Sequence, residues 1–179
     1  DTSAWHWVGA VTQTLMASTE SGQVTAAIAA PTTRWLTLSV TEKAYTPHVA
    51  ALIVEGLTAR RAGGLPGLTI ASCDNLRDNG DCLKSLCLQV SLHNPAVSQW
   101  IVEHCRFPNS MVDRIVPAAS AALKAKALID LGTHAVDTAI STEPFWEWVI
   151  QDHFQDPSDA QVFRQVGVQV VADVRPFED

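Results

Sequence analysis

Apolar and polar positions along the chain alternate between two periods, one suited to strands and one to helices. Residues 7–12 (WVGAVT) form a short apolar run rich in strand formers and predict a strand. Residues 23–30 (QVTAAIAA) read as helix, stopped by Pro31. In residues 35–40 (WLTLSV) large apolar side chains alternate with small hydroxyls, which suits a strand whose second face is also covered. From Pro47 the spacing changes. Val49, Leu52, Ile53, Leu57 and Arg60 predict a helix, opened by Thr46 as N-cap with Pro47 in its first turn and closed by Gly63-Gly64. Residues 68–73 (LTIASC) predict the next strand, and Asp74-Asn75 follow at once. After an Asn79-Gly80 turn, residues 81–92 read as helix. Asn94-Pro95 opens a shorter one through Trp100-Ile101, and Cys105-Arg106-Phe107 reads as the end of a further strand. Residues 118–135 are Ala-rich and helix-prone, residues 143–150 are the most aromatic stretch, and residues 166–171 (VGVQVV) predict a final strand.

Strands alternating with helices predict an α/β fold built on a parallel sheet. Three polar clusters follow extended runs: Thr41-Glu42-Lys43, residues 72–75 (SCDN) and Pro108-Asn109-Ser110. Open α/β sheets bind ligands outside the carboxyl ends of their strands, so these clusters are expected to line one crevice.

Composition narrows the chemistry. The 179 residues are 47% hydrophobic and 17% charged, enough for a sizeable core. Lys and Arg number 12 against 19 Asp and Glu, a net charge of −7, and the longest basic run is Arg60-Arg61. Phosphate-backbone binding needs a basic face, so nucleic acid is not an expected partner. The cysteines at 73, 82, 87 and 105, with His93 and His104, lack ligand spacing for zinc, so no metal is expected. Reduced, partly buried thiols fit a cytoplasmic protein. No apolar run approaches the roughly 20 residues that span a bilayer, so no membrane partner is expected. The start DTSAWHWVGA carries neither a basic leader region nor an initiator Met, and Asp1 is expected to be an internal position of a longer chain.

Five segments carry a resemblance. SVTEKAY (39–45), IASCDNLRDNG (70–80), FPNSMVDRIVP (107–117), EPFWEWVIQDHF (143–154) and VGVQVVADVRPFED (166–179) are similar to the long-chain polyol dehydrogenases of the mannitol dehydrogenase and fructuronate reductase family. Three departures stand out: Ala44 where the family usually has Gly, Cys105 for an aliphatic residue, and Val116 for Thr. The resemblance implies a Rossmann-like parallel sheet with helices, incomplete on its N-terminal side, running into the start of a second, helical domain. Residues 1–142 are then a partial dinucleotide-binding domain, and residues 143–179 its last part and the junction. It also implies metal-free hydride transfer between NAD or NADP and a sugar alcohol, ketose or uronate, by proteins that are often monomeric. The family's catalytic lysine, in a Lys-x-x-x-x-Asn-x-x-His motif, and its Gly-rich phosphate turn are absent from these residues. The isolated chain is therefore expected to be inactive. The alternative is a non-catalytic nucleotide-binding or interaction module; without these segments, a methyltransferase or other nucleotide-binding α/β domain is the default.

Individual residues then take expected roles. Read alone, Asn109 is a turn residue after Pro108 or an amide offered to a ligand; the resemblance implies an amide that hydrogen-bonds the reacting oxygen beside the cofactor. Thr41, Glu42 and Lys43 are expected on the cofactor side. Asp74 and Asn75 either cap the following segment or reach the substrate. Asp152 is either a surface carboxylate or an acceptor for polyol hydroxyls, and the resemblance puts Glu178 near the catalytic lysine, where it helps move protons. Asp113 and Arg114 are expected to form an ion pair that holds the exit from the Phe107 strand.

Overall fold

The alternation in residues 35–40 and 68–73 becomes two paired strands, β1 (Trp35–Leu38) and β2 (Thr69–Ser72). They run parallel, with Leu36 opposite Ile70 and Leu38 opposite Ser72. The computed structural model describes residues 5–6, 8–40, 43, 45–132 and 139–178. Parallel pairing requires a crossover, and helix α2 (Pro47–Ala62) supplies it. Pro47 sits in its first turn after Thr46, whose backbone is extended as an N-cap should be but whose side chain makes no capping bond. Helix α1 (Ala17–Ala29) begins six residues before the expected start and packs on α2. A Cβ at Gly56 of α2 would stand 2.5 Å from Cγ2 of Ile28, so the two helices touch there because Gly56 has no side chain. Arg60, only 1% exposed, ties the same corner together. Its guanidinium donates to the carbonyls of Ile28 (3.0 Å), Ala30 (2.8 Å) and Pro66 (3.0 Å).

Helices α3 (Asn79–Val90) and α4 (Pro95–His104) follow β2. Asn94 caps α4 by accepting from the Val97 N–H. The strand expected to end at Phe107 reduces to one parallel bridge between Thr69 and Arg106. In it Ile70 N–H donates to Arg106 O at 2.8 Å and Arg106 N–H to Leu68 O at 2.9 Å. The true strand comes after the Pro108-Asn109 bend. It is β3 (Ser110–Asp113), which joins β4 (Glu147–Gln151) and β5 (Gln169–Val171) in a second sheet of order β3-β4-β5. β4 and β5 are parallel across helix α6 (Asp159–Gln165), as the α/β pattern predicts, but β3 is antiparallel to β4. Between them lies α5 (Ala121–Leu131), capped by Ser120.

Two apolar clusters hold the layers. One gathers Leu57, Leu68, Ile70, Leu83 and Ile101 between helices and first sheet. The other gathers Ala71, Ile150, Phe154, Ala160 and Val168 under Trp35, Trp148 and Phe163. Ring centroids of Trp35 and Phe163 are 4.5 Å apart, and those of Trp148 and Phe163 are 5.3 Å apart. Trp148 thus packs half-buried against this core, while Trp146 is exposed over Gly167.

The strand expected at residues 7–12 does not form among the described residues 8–12: Gly9-Ala10 turn, and Val8 and Val11 are exposed. Strand formers without a neighbouring edge to pair with stay irregular. Trp7 lies outside the described residues.

Candidate functional site

The carboxyl ends of β1 and β2 open onto one crevice. Its wider part, about 910 Å³, is walled by Ser39 and Val40 beyond β1, Cys73 beyond β2, and Arg114 beyond β3. Its narrower part, about 360 Å³, is walled by Ser110, Glu147 and Glu178. Asp74, Asn75, Leu76, Val112 and Asp113 line both, which makes the two parts continuous. The narrow end is acidic: Asp74, Asp113, Glu147 and Glu178 face it, and among the described residues no Lys or Arg does. Asp113 and Glu147 are direct partners across β3 and β4.

Asp74, one of the residues expected to meet substrate, spends its carboxylate internally. Tyr45 Oη donates to Oδ2 at 2.5 Å and Ser72 Oγ to the same oxygen at 2.7 Å. Leu76 N–H reaches Oδ1 at 3.1 Å, and Asn79 Nδ2 reaches it at 3.2 Å. With these donors in place it organises the loop after β2, and Asn75 is the exposed neighbour that faces the crevice. Burial, then the Asp74 carboxylate, push the Tyr45 hydroxyl well above its ordinary range, so it stays a donor. Burial and Asp74 likewise raise the Cys73 thiol to about 11, which keeps it largely protonated and slow to react at the crevice wall.

Asn79 was missed by sequence reasoning, because Asn-Gly reads as a turn. The chain bends one residue earlier, at Asp78, which takes φ +51°, and Asn79 then becomes the first residue of α3, fully buried.

Asn109 faces another way. Its Oδ1 accepts from the Asp81 N–H at 3.1 Å and its Nδ2 donates to the Asp81 carboxylate at 3.0 Å. Its backbone is fastened to Gln151: Gln151 N–H donates to Asn109 O at 2.9 Å, and Asn109 N–H to Gln151 Oε1 at 3.3 Å. Asn109 therefore adjoins Ser110 of the crevice but lines neither part of it.

The remaining expected residues divide. Glu178 follows a single 3₁₀ turn (Arg175–Phe177) and lines the narrow part with Asn75. Lys43 is exposed; Thr41 and Glu42 lie outside the described residues. Asp152 stands apart from the crevice and pairs with Arg164 at 2.9 Å. The expected Asp113–Arg114 pair is not formed, since neighbours in an extended chain point to opposite faces. Arg114 donates instead to Glu143 O at 3.2 Å, and Glu143 accepts from Ile115 N–H at 2.7 Å. Among the described residues no cluster of three or more His, Cys, Asp or Glu is placed to hold a metal, and no helix is long and apolar enough to cross a membrane.

Comparison with known proteins adds an independent observation. The family model of the mannitol dehydrogenase Rossmann domain matches residues 2–160. D-mannonate oxidoreductase of Escherichia coli (strain K12) is 37% identical over 178 residues, covering 85% of this chain and 36% of that protein. Mannitol 2-dehydrogenase of Aspergillus fumigatus is 34% identical over 202 residues, covering 97% of this chain and 39% of that protein. Among solved structures, Pseudomonas fluorescens mannitol 2-dehydrogenase in ternary complex with NAD and D-mannitol superposes with a TM-score of 0.81 at 32% identity. That match covers 96% of this chain and 39% of the other. The chain thus spans well under half the length of these relatives.

Proposed function

The chain belongs to the mannitol dehydrogenase family through its Rossmann domain, and from that premise we propose that it is part of an NAD(P)-dependent oxidoreductase. The reaction is hydride transfer between the nicotinamide and a mannitol-like polyol or a hexonate, giving the ketose or keto-uronate. The observation that carries this reading is the crevice at the carboxyl ends of parallel β1 and β2, where open α/β sheets take their ligands.

The residues at the narrow end fit the nicotinamide end of such a cofactor better than its phosphates. Carboxylates at the narrow end repel a pyrophosphate but tolerate a cationic ring and accept bonds from ribose or polyol hydroxyls. When bound, the dinucleotide supplies or accepts the hydride. In this reading Thr41, Glu42 and Lys43 stand on the cofactor side beyond β1. Asn75 faces the ligand and Asp74 holds the loop that presents it. Glu178 handles a proton at the narrow end. Asn109 donates its amide to the reacting oxygen; this role requires Nδ2 to exchange its Asp81 bond for the substrate when ligand arrives. Asp152 reaches polyol hydroxyls only on leaving Arg164. The 179 residues contain no Lys-x-x-x-x-Asn-x-x-His segment, and turnover is expected only from a polypeptide that adds one.

Cys73 provides the test. It is a half-buried thiol on the crevice wall. Its alkylation in the full-length protein should slow when NADH is added, while alkylation of exposed Cys82 should not. The same preparation should reduce NAD when given mannitol or mannonate. Unchanged Cys73 labelling at saturating NADH, with neither polyol nor hexonate oxidised, would overturn the reading in favour of a non-catalytic interaction module.

A further inference from the structure

The two sheets share no ladder between β2 and β3, yet Ser72 at the end of one and Ser110 at the start of the other lie in hydrogen-bond contact. The link is a side chain. Asn79 Oδ1 accepts from the Ser110 N–H at 2.9 Å, and Asn79 Nδ2 donates to Ser110 O at 2.8 Å. A carboxamide paired to both groups of one peptide residue imitates a strand neighbour. Nδ2 also reaches Asp74 Oδ1 at 3.2 Å, Asp74 O at 3.3 Å and Ser72 O at 3.4 Å, while Ser110 Oγ donates to Ser72 O. Both Asn79 and Ser110 are buried, so water cannot substitute for either.

We propose that Asn79 is the positioning residue of the crevice, splicing β3 to the end of β2 so that Asn75 and the Asn109-Ser110 segment keep a fixed separation across the bound ligand. The proposal rests on the dinucleotide reading of the crevice for its ligand, and on the hydrogen bonds for its geometry. The side chain touches neither the crevice nor a reacting atom; it acts through Asp74 and the Ser110 peptide. An aspartate in its place keeps the shape and the acceptor but loses the Nδ2 donor, and sets a second carboxylate against Asp74.

Amide hydrogen exchange and NADH titration on wild type, Asn79→Ala and Asn79→Asp of the full-length protein test this. In Asn79→Ala the Ser110 amide should exchange roughly 10-fold faster or more, since one buried hydrogen bond is lost. The Ile70 and Cys73 amides, which bond to Arg106 O and Leu38 O, should keep their rates. NADH affinity should fall about 10-fold, the equivalent of one misplaced contact. Asn79→Asp keeps the acceptor for the Ser110 N–H and should hold that amide's protection, while its NADH affinity falls as in Asn79→Ala in mild alkali and recovers in mild acid, where its protonated carboxyl donates again. A Ser110 rate equal to wild type in Asn79→Ala overturns the proposal. So does equal acceleration at Ile70 and Cys73, which marks a general loss of stability, and so does unaltered affinity with a loosened Ser110. A wild type that fails to bind NADH sinks the dinucleotide reading instead, and leaves the exchange rates to decide the splice.

Discussion

Asn109 and Asp81 exchange hydrogen bonds in both directions, side chain to backbone and side chain to side chain, and so fasten the bend before β3 to the first turn of α3. The acceptor that Asn109 offers to the Asp81 N–H does the work of an N-cap supplied from another segment. Asn109→Ala should therefore destabilise the fold by about 1 kcal/mol. It should also slow hydride transfer by roughly 10²-fold if the amide serves the reacting oxygen. Asp81→Ala removes the carboxylate and keeps the backbone bond, so it should lower the melting temperature with little change in rate. Single-turnover rates separate the two. Equal rate losses in both variants would assign Asn109 to holding the helix and remove it from the chemistry.

Among the described residues, Arg60 has carbonyls for hydrogen-bond acceptors and no carboxylate. It caps the end of α1 and secures the turn after α2, both packed under β1 and β2. Arg60→Met fills the space of the stem but strands the Ile28, Ala30 and Pro66 oxygens. The expected cost is about 3 kcal/mol or more, since charged hydrogen bonds are lost and acceptors are left bare. Arg60→Lys should recover only part of it, because an ammonium on a flexible stem lacks the planar fork. Denaturant unfolding measures both, and a cost below about 1 kcal/mol for Arg60→Met would show that water replaces the guanidinium.

The buried thiols make stability fall in alkali. Burial, with Cys105 as a smaller contributor, pushes Cys87 up to about 12 from an ordinary 9.0. Burial also pushes Cys105 up to about 11. Above the ordinary value the unfolded thiols ionise while the folded ones keep their protons. The unfolded state then binds fewer protons, and stability drops as pH rises. The contribution is whole below about pH 9.0 and is lost as pH climbs toward about 11 and 12. Melting temperature should decline across that window, and Cys87→Ala, although less stable at neutral pH, should decline less steeply. An unchanged slope would mean that other groups carry the alkaline transition.

Period and capping made the first half of the fold legible. The hydroxyl alternation at residues 35–40 and the apolar run at 68–73 became the parallel pair, and Thr46-Pro47 marked the start of α2. What stayed hidden depends on contacts between distant residues. The bend at Asp78 follows from the burial of Asn79, which is visible only once Ser72 and Ser110 are seen on either side of it. The order of β3 and β4, and hence their antiparallel pairing, depends on how residues 114–146 return, and local periodicity carries no direction. The crevice was legible in part: residues 73–75 and Ser110 line it because strand ends in α/β folds are a topological property, whereas Lys43 and Asn109 do not line it. The partners of Asp74 were not, since a loop carboxylate looks the same whether it faces solvent or four donors.

Gly80 decides whether the motif at residues 107–110 can reach α3 at all. A Cβ there would stand 2.5 Å from the carbonyl oxygens of Phe107 and of Pro108, and backbone cannot swing aside as a side chain does. Gly80→Ala must therefore push the helix start away from the bend, straining the Asp81–Asn109 exchange and the Asn79–Ser110 pairing together. The expected cost is about 1–3 kcal/mol, the usual range for overpacking. Gly22→Ala is the control. It lies in α1 with open space around the added methyl, and should gain up to about 1 kcal/mol from helix propensity alone. Thermal melts of the two variants should thus move in opposite directions. NADH affinity should weaken only in Gly80→Ala. A Gly80→Ala protein as stable as wild type would show that α3 and residues 107–108 are not held in contact, and that the bend owes its position to Gln151 alone.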